Sequence, residues 1–359
     1  MSALRAIFGM IVLLIIVLIN TVVVMYVERK VMAHLQSRMG PMRTGWHGLL
    51  QPIADALKLL GKEDLMPDGA DRILFLIAPM IAFVPSMFIY AAMPWVQQAA
   101  GFSFDVGIFL VFGITALFPV GVLLGGWASH NKYSLLGGFR AAAQQISYEV
   151  PMVLSALGVV MLAGSMKLST IVEAQAGVWN IFTQPLAFVV FFITVLAELA
   201  RIPFDLPESE SELVGGYNTE YSSMRFALYF VAEYANLFTL SLLTTLLFLG
   251  GWNGPLLPGI VWLLLKTYLM VFVIIWLRAT LPRVRVDQLM GFAWKLMLPA
   301  ALVSIVVTAV GIFTSIWVLI AVQLLATVTF FWIVSRLGAR AGDAARATAA
   351  AIQAREVSA

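Results

Sequence analysis

Residues Leu296–Val334 read LMLPAALVSIVVTAVGIFTSIWVLIAVQLLATVTFFWIV, 39 positions without one charged side chain. As a single helix rising 1.5 Å per residue, the run would be about 58 Å long, nearly twice the ~30 Å hydrocarbon layer of a bilayer. It is too long for one crossing and suits two, with a break near Gly311–Ser315. Working outward, further apolar segments of spanning length lie at about 6–26, 73–95, 106–127, 148–166, 181–200, 226–250 and 256–277. The pattern predicts an all-α, polytopic transmembrane protein with about nine spanning helices. Residues 1–335 form one transmembrane domain, and 336–359 an Ala/Arg-rich cytoplasmic tail, frayed or an exposed helix extension. No internal repeat is visible.

Composition requires lipid as the solvent. The chain has 359 residues, is 61% hydrophobic and only 11% charged, with a mean hydropathy of +0.95. A soluble domain carries roughly 25% charged residues. The first apolar run, Ala6 to Met25, has only Arg5 before it and no small-residue cleavage site after it. It reads as a retained first helix rather than a removed signal peptide.

The basic residues test the span count. Nine spans put 19 of the 22 Lys and Arg on one face, leaving only Arg5, Lys167 and the mid-span Lys266 elsewhere. By the positive-inside rule that face is cytoplasmic, the N-terminus is outside and the C-terminus is cytoplasmic. Eight spans would strand Arg336, Arg340, Arg346 and Arg355 outside. In the first long loop, Leu49, Leu50, Ile53, Leu57 and Leu60 share one helical face, with Asp55 and Lys58 elsewhere. This predicts an amphipathic helix over Trp46–Leu60, lying on the membrane surface or against a partner.

Several chemistries are excluded. Cysteine is absent, so there are no disulfides and no Cys-ligated clusters or zinc sites. His34, His47 and His130 lack metal-ligand spacing, and no glycine-rich phosphate loop precedes a helix. No residue is assigned to catalysis or to a metal, and redox chemistry must come from a partner or a diffusible substrate.

Carboxylates are the candidate working groups. Glu149 falls near the start of the fourth span, Glu198 near the end of the fifth and Glu233 about two turns into the sixth. A charge inside a span costs about 2.5–3.5 kcal/mol even on lenient insertion scales, so such groups face a polar cavity or a partner charge. The competing reading is that they neutralise Arg140, Arg201 or Arg225 and only orient helices. After the fifth span come Asp205, Glu208, Glu210, Glu212 and Glu220, with Pro203 and Pro207 preventing a continuous helix. Carboxylates so crowded share protons, as a relay requires. A solvated acidic loop is the common explanation of such clusters, but Leu213-Val214-Gly215-Gly216 and the close apolar flanks argue against it.

These loops carry a resemblance. Glu28-Arg29-Lys30, Arg38-Met39-Gly40-Pro41, Gly48-Leu49-Leu50-Gln51-Pro52-Ile53-Ala54-Asp55 and Lys62-Glu63 resemble the first signature of the H-subunit (subunit 1) family of proton-pumping NADH–quinone oxidoreductase, respiratory complex I. Arg201, Pro203-Phe204-Asp205-Leu206-Pro207-Glu208, Glu212-Leu213-Val214-Gly215-Gly216-Tyr217 and Glu220-Tyr221 are similar to its second. Gly126-Trp127-Ala128-Ser129, Ser147-Tyr148-Glu149, Ala232-Glu233-Tyr234 and Arg278 with Pro282-Arg283 extend the match, in order, from Tyr26 to Pro299.

The resemblance implies the heel subunit of the membrane arm, in the cell's inner (plasma) membrane, with no activity of its own until assembled. Arg29, Arg38, Phe226 and Arg278 would line a quinone tunnel or its mouth. Glu149, Glu198, Asp205, Glu208, Glu210, Glu212, Glu220 and Glu233 would form an acidic funnel that couples quinone reduction to proton translocation. Quinone would be the substrate, with flavin and iron–sulfur clusters on partner subunits of the hydrophilic and membrane arms, and no nucleic acid among the partners. Ala116 stands where some relatives carry an acid, which weakens a relay through the third span. The span from Ser315 onward is missing in many relatives. Two alternatives are the membrane anchor of a related membrane-bound hydrogenase and an independent secondary transporter. The Arg-lined first loop favours the quinone enzyme over the anchor, and the halves lack the pairing expected of a transporter.

Overall fold

The computed structural model describes residues 3–95, 104–206 and 210–358, with the side chains of 3–7, 210–211 and 338–358 outside that description. Every regular element is a helix among these residues. The long elements are α1 (Ala3–Leu35), α3 (Arg72–Ala92), α6 (Lys132–Ala163), α11 (Ser223–Phe248), α12 (Gly259–Thr280), α14 (Leu298–Gly311) and α15 (Ile316–Ser358). Between them lie α2 (Gln51–Gly61), α4 (Gly107–Thr115), α5 (Leu117–Ala128), α7 (Leu168–Ala174), α8 (Asn180–Thr183), α9 (Pro185–Glu198), α10 (Glu210–Leu213) and α13 (Val286–Phe292).

Eight helical segments among the described residues are long and apolar enough to cross a membrane, and α9 is a ninth, shorter apolar helix. The break in the 39-residue run falls at 312–315, between α14 and α15. α15 then runs without interruption across 335–336.

Several boundaries differ from those predicted. The fourth span begins at Lys132, not near 148, because the Asn131 side chain accepts from the Tyr133 amide and starts the helix early. Glu149 therefore lies in the middle of a 32-residue helix rather than near its start. The fifth span, predicted over 181–200, is broken. Gln184 leaves helical geometry before Pro185, so α9 has 14 residues and is about 21 Å long. Segment 106–127 divides at Ala116 into α4 and α5. α1 continues nine residues past 26, since nothing breaks a helix before Gly40-Pro41.

α11 is the hub. It packs against α1, α3 and α12, while α6 packs against α5, α9 and α14. One large core, including Tyr90, Phe191, Phe238 and Leu243, lies between these helices, and a smaller one with Phe75, Tyr221 and Tyr229 sits beside it. Phe8, Ile11 and Ile19 of α1 and Trp317, Leu325 and Val328 of α15 point outward uncovered. Apolar side chains exposed along helices of this length suit a lipid surround. The amphipathic helix is present but begins at Gln51 rather than Trp46: Ile53, Leu57 and Leu60 are exposed on α2, and Leu49 and Leu50 just before it.

Candidate functional site

The site is built around the end of α9. A helix end leaves carbonyls without partners, and here two adjacent glutamines of α6 supply them. Gln144 donates from Nε2 to the carbonyls of Ala197 (2.7 Å) and Phe204 (2.8 Å), and Gln145 to that of Glu198 (3.1 Å). Pro203, in the turn that follows, cannot extend the helix. Its carbonyl accepts from the Val284 amide (3.0 Å), which brings Arg283 within 3.1 Å of Asp205. The turn 199–206 is thus held on both sides, and it fixes Glu198, Arg201 and Asp205 together.

A narrow cavity borders this turn. Its walls include Glu198, Arg201, Asp205, Glu233, Asn236 and Arg278, drawn from α9, the turn, α11 and α12. Behind it lies an ion cluster. Glu28, 4% exposed on α1, bonds Arg278 and stands 3.6 Å from Arg201. The Arg201 guanidinium also lies over the Tyr234 ring, 5.1 Å from its centroid.

The carboxylates divide into two kinds. Asp205 pairs with Arg283, and Glu212 with Arg140 at 2.6 Å. Among the described residues no ion pair reaches Glu149, Glu198 or Glu233. Glu233 accepts from the Tyr217 hydroxyl (2.6 Å). Glu198 is buried and close enough to Glu149 for their charges to repel. The reading in which these three neutralise Arg140, Arg201 and Arg225 therefore fails, because those arginines face Glu212, Glu28 and Asp64.

The remaining predicted residues lie elsewhere. Glu149 is half-buried on α6 outside the cavity wall. Glu220 accepts from Asn131 (2.6 Å) beside a separate polar hollow with His130 and Lys132. Arg29 pairs with Asp55, joining α1 to α2. Burial works to raise the Asp55 carboxyl, but hydrogen bonds from Arg29 and Gln51 outweigh it and hold the group below its ordinary value. Arg38 is exposed after α1, bonded to Gln36 (2.8 Å). Phe226 stacks on Phe230 at 5.9 Å and packs against the smaller core. Of the four tunnel candidates, Arg278 alone lines the cavity. Glu208 and the Glu210 side chain lie outside the described residues.

Sequence reasoning missed Glu28, Gln144, Gln145 and Tyr217 as site residues. Glu28 belongs to the first signature, and the signal was its place in the last turns of a spanning helix. The glutamines carry no charge to mark them. Among the described residues no group of three or more His, Asp or Glu could hold a metal ion.

A bundle of helices long and apolar enough to span a membrane, with a carboxylate- and arginine-lined cavity, defines a multi-pass membrane protein. The sequence model described as NADH dehydrogenase matches residues 8–309, and the chain belongs to that family. It is 54% identical over 309 residues to the H subunit of NADH-quinone oxidoreductase from Geobacillus thermodenitrificans (strain NG80-2), covering 84% of this chain and 93% of the relative. The protein of that name from Geobacillus kaustophilus (strain HTA426) is 57% identical over 288 residues, covering 79% and 86%. The H 1 subunit of the same enzyme in Geobacter sulfurreducens (strain ATCC 51573 / DSM 12127 / PCA) is 49% identical over 316 residues, covering 82% and 91%. Membership makes the chain one subunit of a multi-subunit oxidoreductase, whose other subunits are its partners. The family match stops before α15.

Proposed function

We propose that this chain is the heel subunit of the membrane arm of NADH–quinone oxidoreductase, where its cavity receives a quinone head group and its carboxylates carry the resulting charge change to neighbouring subunits. The observation that carries this reading is the shared cavity. Its lining offers guanidinium donors, Arg201 and Arg278, suited to quinone oxygens, together with Glu198 and Glu233, neither in an ion pair among the described residues. Quinone takes two electrons, supplied from iron–sulfur clusters of partner subunits, and two protons to become quinol. Charge appearing in a cavity of low dielectric is felt over several ångströms, so Glu198 responds to it and passes the effect to Glu149 by repulsion. Arg29, Arg38 and Phe226 are assigned to the mouth of the tunnel. Asp205, Glu208, Glu210, Glu212 and Glu220 are assigned to the rest of the funnel.

Glu198→Gln and Arg278→Ala test this in the assembled enzyme. Glu198→Gln slows quinone reduction coupled to pumping, read as NADH oxidation and acidification of inverted membrane vesicles. Arg278→Ala raises the half-inhibiting concentration of a quinone-site inhibitor by about 10–100-fold, the factor a hydrogen bond to a charged group contributes. Normal coupled rates in the first variant and an unchanged titration in the second would remove the cavity from the mechanism.

We also place the N-terminus outside and the C-terminus in the cytoplasm of the inner (plasma) membrane, from the distribution of Lys and Arg. A tag on Ala359 is expected to be reached only from the cytoplasmic side; labelling from the other side reverses the assignment.

A further inference from the structure

Lys266 is the one basic side chain that the sequence leaves mid-span, and the quinone reading gives it no work. In the structure it is the eighth residue of α12, 4% exposed, and its long side chain reaches the connection between α11 and α12. That connection follows the end of α11, whereas the cavity turn precedes its start. There Nζ donates to the carbonyls of Leu249 (2.7 Å), Gly251 (3.1 Å) and Asn253 (2.8 Å). It also stands 4.3 Å from the centroid of the Trp179 ring. An ammonium has three protons to give, and all three are placed. The indole face adds attraction for the same charge.

The cage belongs to a wider cap. The last carbonyls of α11 would be orphans in a dry interior. Gln175 donates to Leu246 O (2.8 Å), Asn180 to Leu247 O (2.8 Å), and the Thr245 carbonyl accepts from the amides of Leu249 and Gly251. Gly250 has φ +70°, and a Cβ there would lie 2.9 Å from Trp179, so the chain passes close under the ring. The partners of this cap other than Lys266 are neutral, so the lysine brings the positive charge to a carbonyl-rich, electronegative helix end.

We propose that three carbonyls and an indole form a primary-ammonium site that the chain fills with its own lysine, sealing the end of α11. The seal requires a cation, not merely a side chain of matching length.

The absence of cysteine permits a direct test that needs no redox activity. Thr245→Cys places one thiol a turn inside the cap, where Thr245 is fully buried. In native membranes a membrane-impermeant maleimide, offered to each side in turn, should label it slowly. Adding Lys266→Met, nearly isosteric but neutral, should speed labelling about tenfold or more, the factor one charge-assisted hydrogen bond contributes. Adding Lys266→Ala should do the same, and n-propylammonium, which replaces the deleted atoms, should restore protection where equimolar sodium does not. A Lys266→Met chain as protected as the parent, or an alanine variant indifferent to propylammonium, overturns the proposal. If neither neutral variant accumulates, Lys266→Arg decides. Parental accumulation and protection support the need for a cation, and loss equal to that of the neutral variants refutes it.

Discussion

Glu28→Ala is expected to lower the stability of the chain by about 3–5 kcal/mol, the loss that follows removal of one partner from a buried ion pair. Glu28 and Arg201 expose only 5% and 8% of their side chains and Arg278 22%, so water screens the cluster poorly. The carboxylate serves two guanidiniums, and its loss leaves both positive charges crowded behind the cavity. Glu28→Gln keeps an acceptor but not the charge and should lose less. Thermal unfolding of the purified assembly in detergent, with abundance in membranes, checks both. An alanine variant that accumulates and melts like the parent would mean the arginines find other counter-charges.

Gly137→Ala is the second large effect, at about 1–3 kcal/mol for overpacking. A Cβ on Gly137 would lie 2.6 Å from the Gly216 Cα and 2.7 Å from the Tyr217 amide, backbone atoms that cannot swing aside. Those atoms begin the 3₁₀ turn Gly216–Asn218, which aims the Tyr217 hydroxyl at Glu233. The substitution therefore reaches the cavity as well as the packing. Gly113→Ala is the control: nothing lies within 4 Å of that site on α4, and alanine should be neutral or up to ~1 kcal/mol stabilising through helix propensity. Equal melting of the two variants would show that the turn yields freely.

Much of this architecture is legible in the order of residues alone. Hydrophobic length gives the spans and the break in the 39-residue run, because lipid imposes a fixed thickness on every crossing. Surface helix α2 follows from the spacing of five leucines and isoleucines. What failed was local. The start of α6 is set by one asparagine cap within a stretch of moderate polarity, which a hydropathy window smooths away. The brevity of α9 depends on Gln184 and Pro185 at its N-terminal end, where the sequence still looks apolar. Among the residues beside the cavity, Glu198 and Glu233 were marked by the cost of charge in lipid and Asp205 by the crowding of carboxylates in its loop. Pairing was not legible: that Arg201 turns to Glu28 rather than to a nearer acid depends on which helices become neighbours.

The two glutamines of α6 have one more implication. Gln145 donates to the Glu198 carbonyl, and its own oxygen, Asn236 Oδ1 and one Glu198 oxygen, all on cavity-lining residues, are buried without a hydrogen-bond partner among the described residues. Such acceptors attract hydration, since buried acceptors are rarely left dry. Solvent held at Gln145, Asn236 and Glu198 would hydrate the carboxylate side of the cavity.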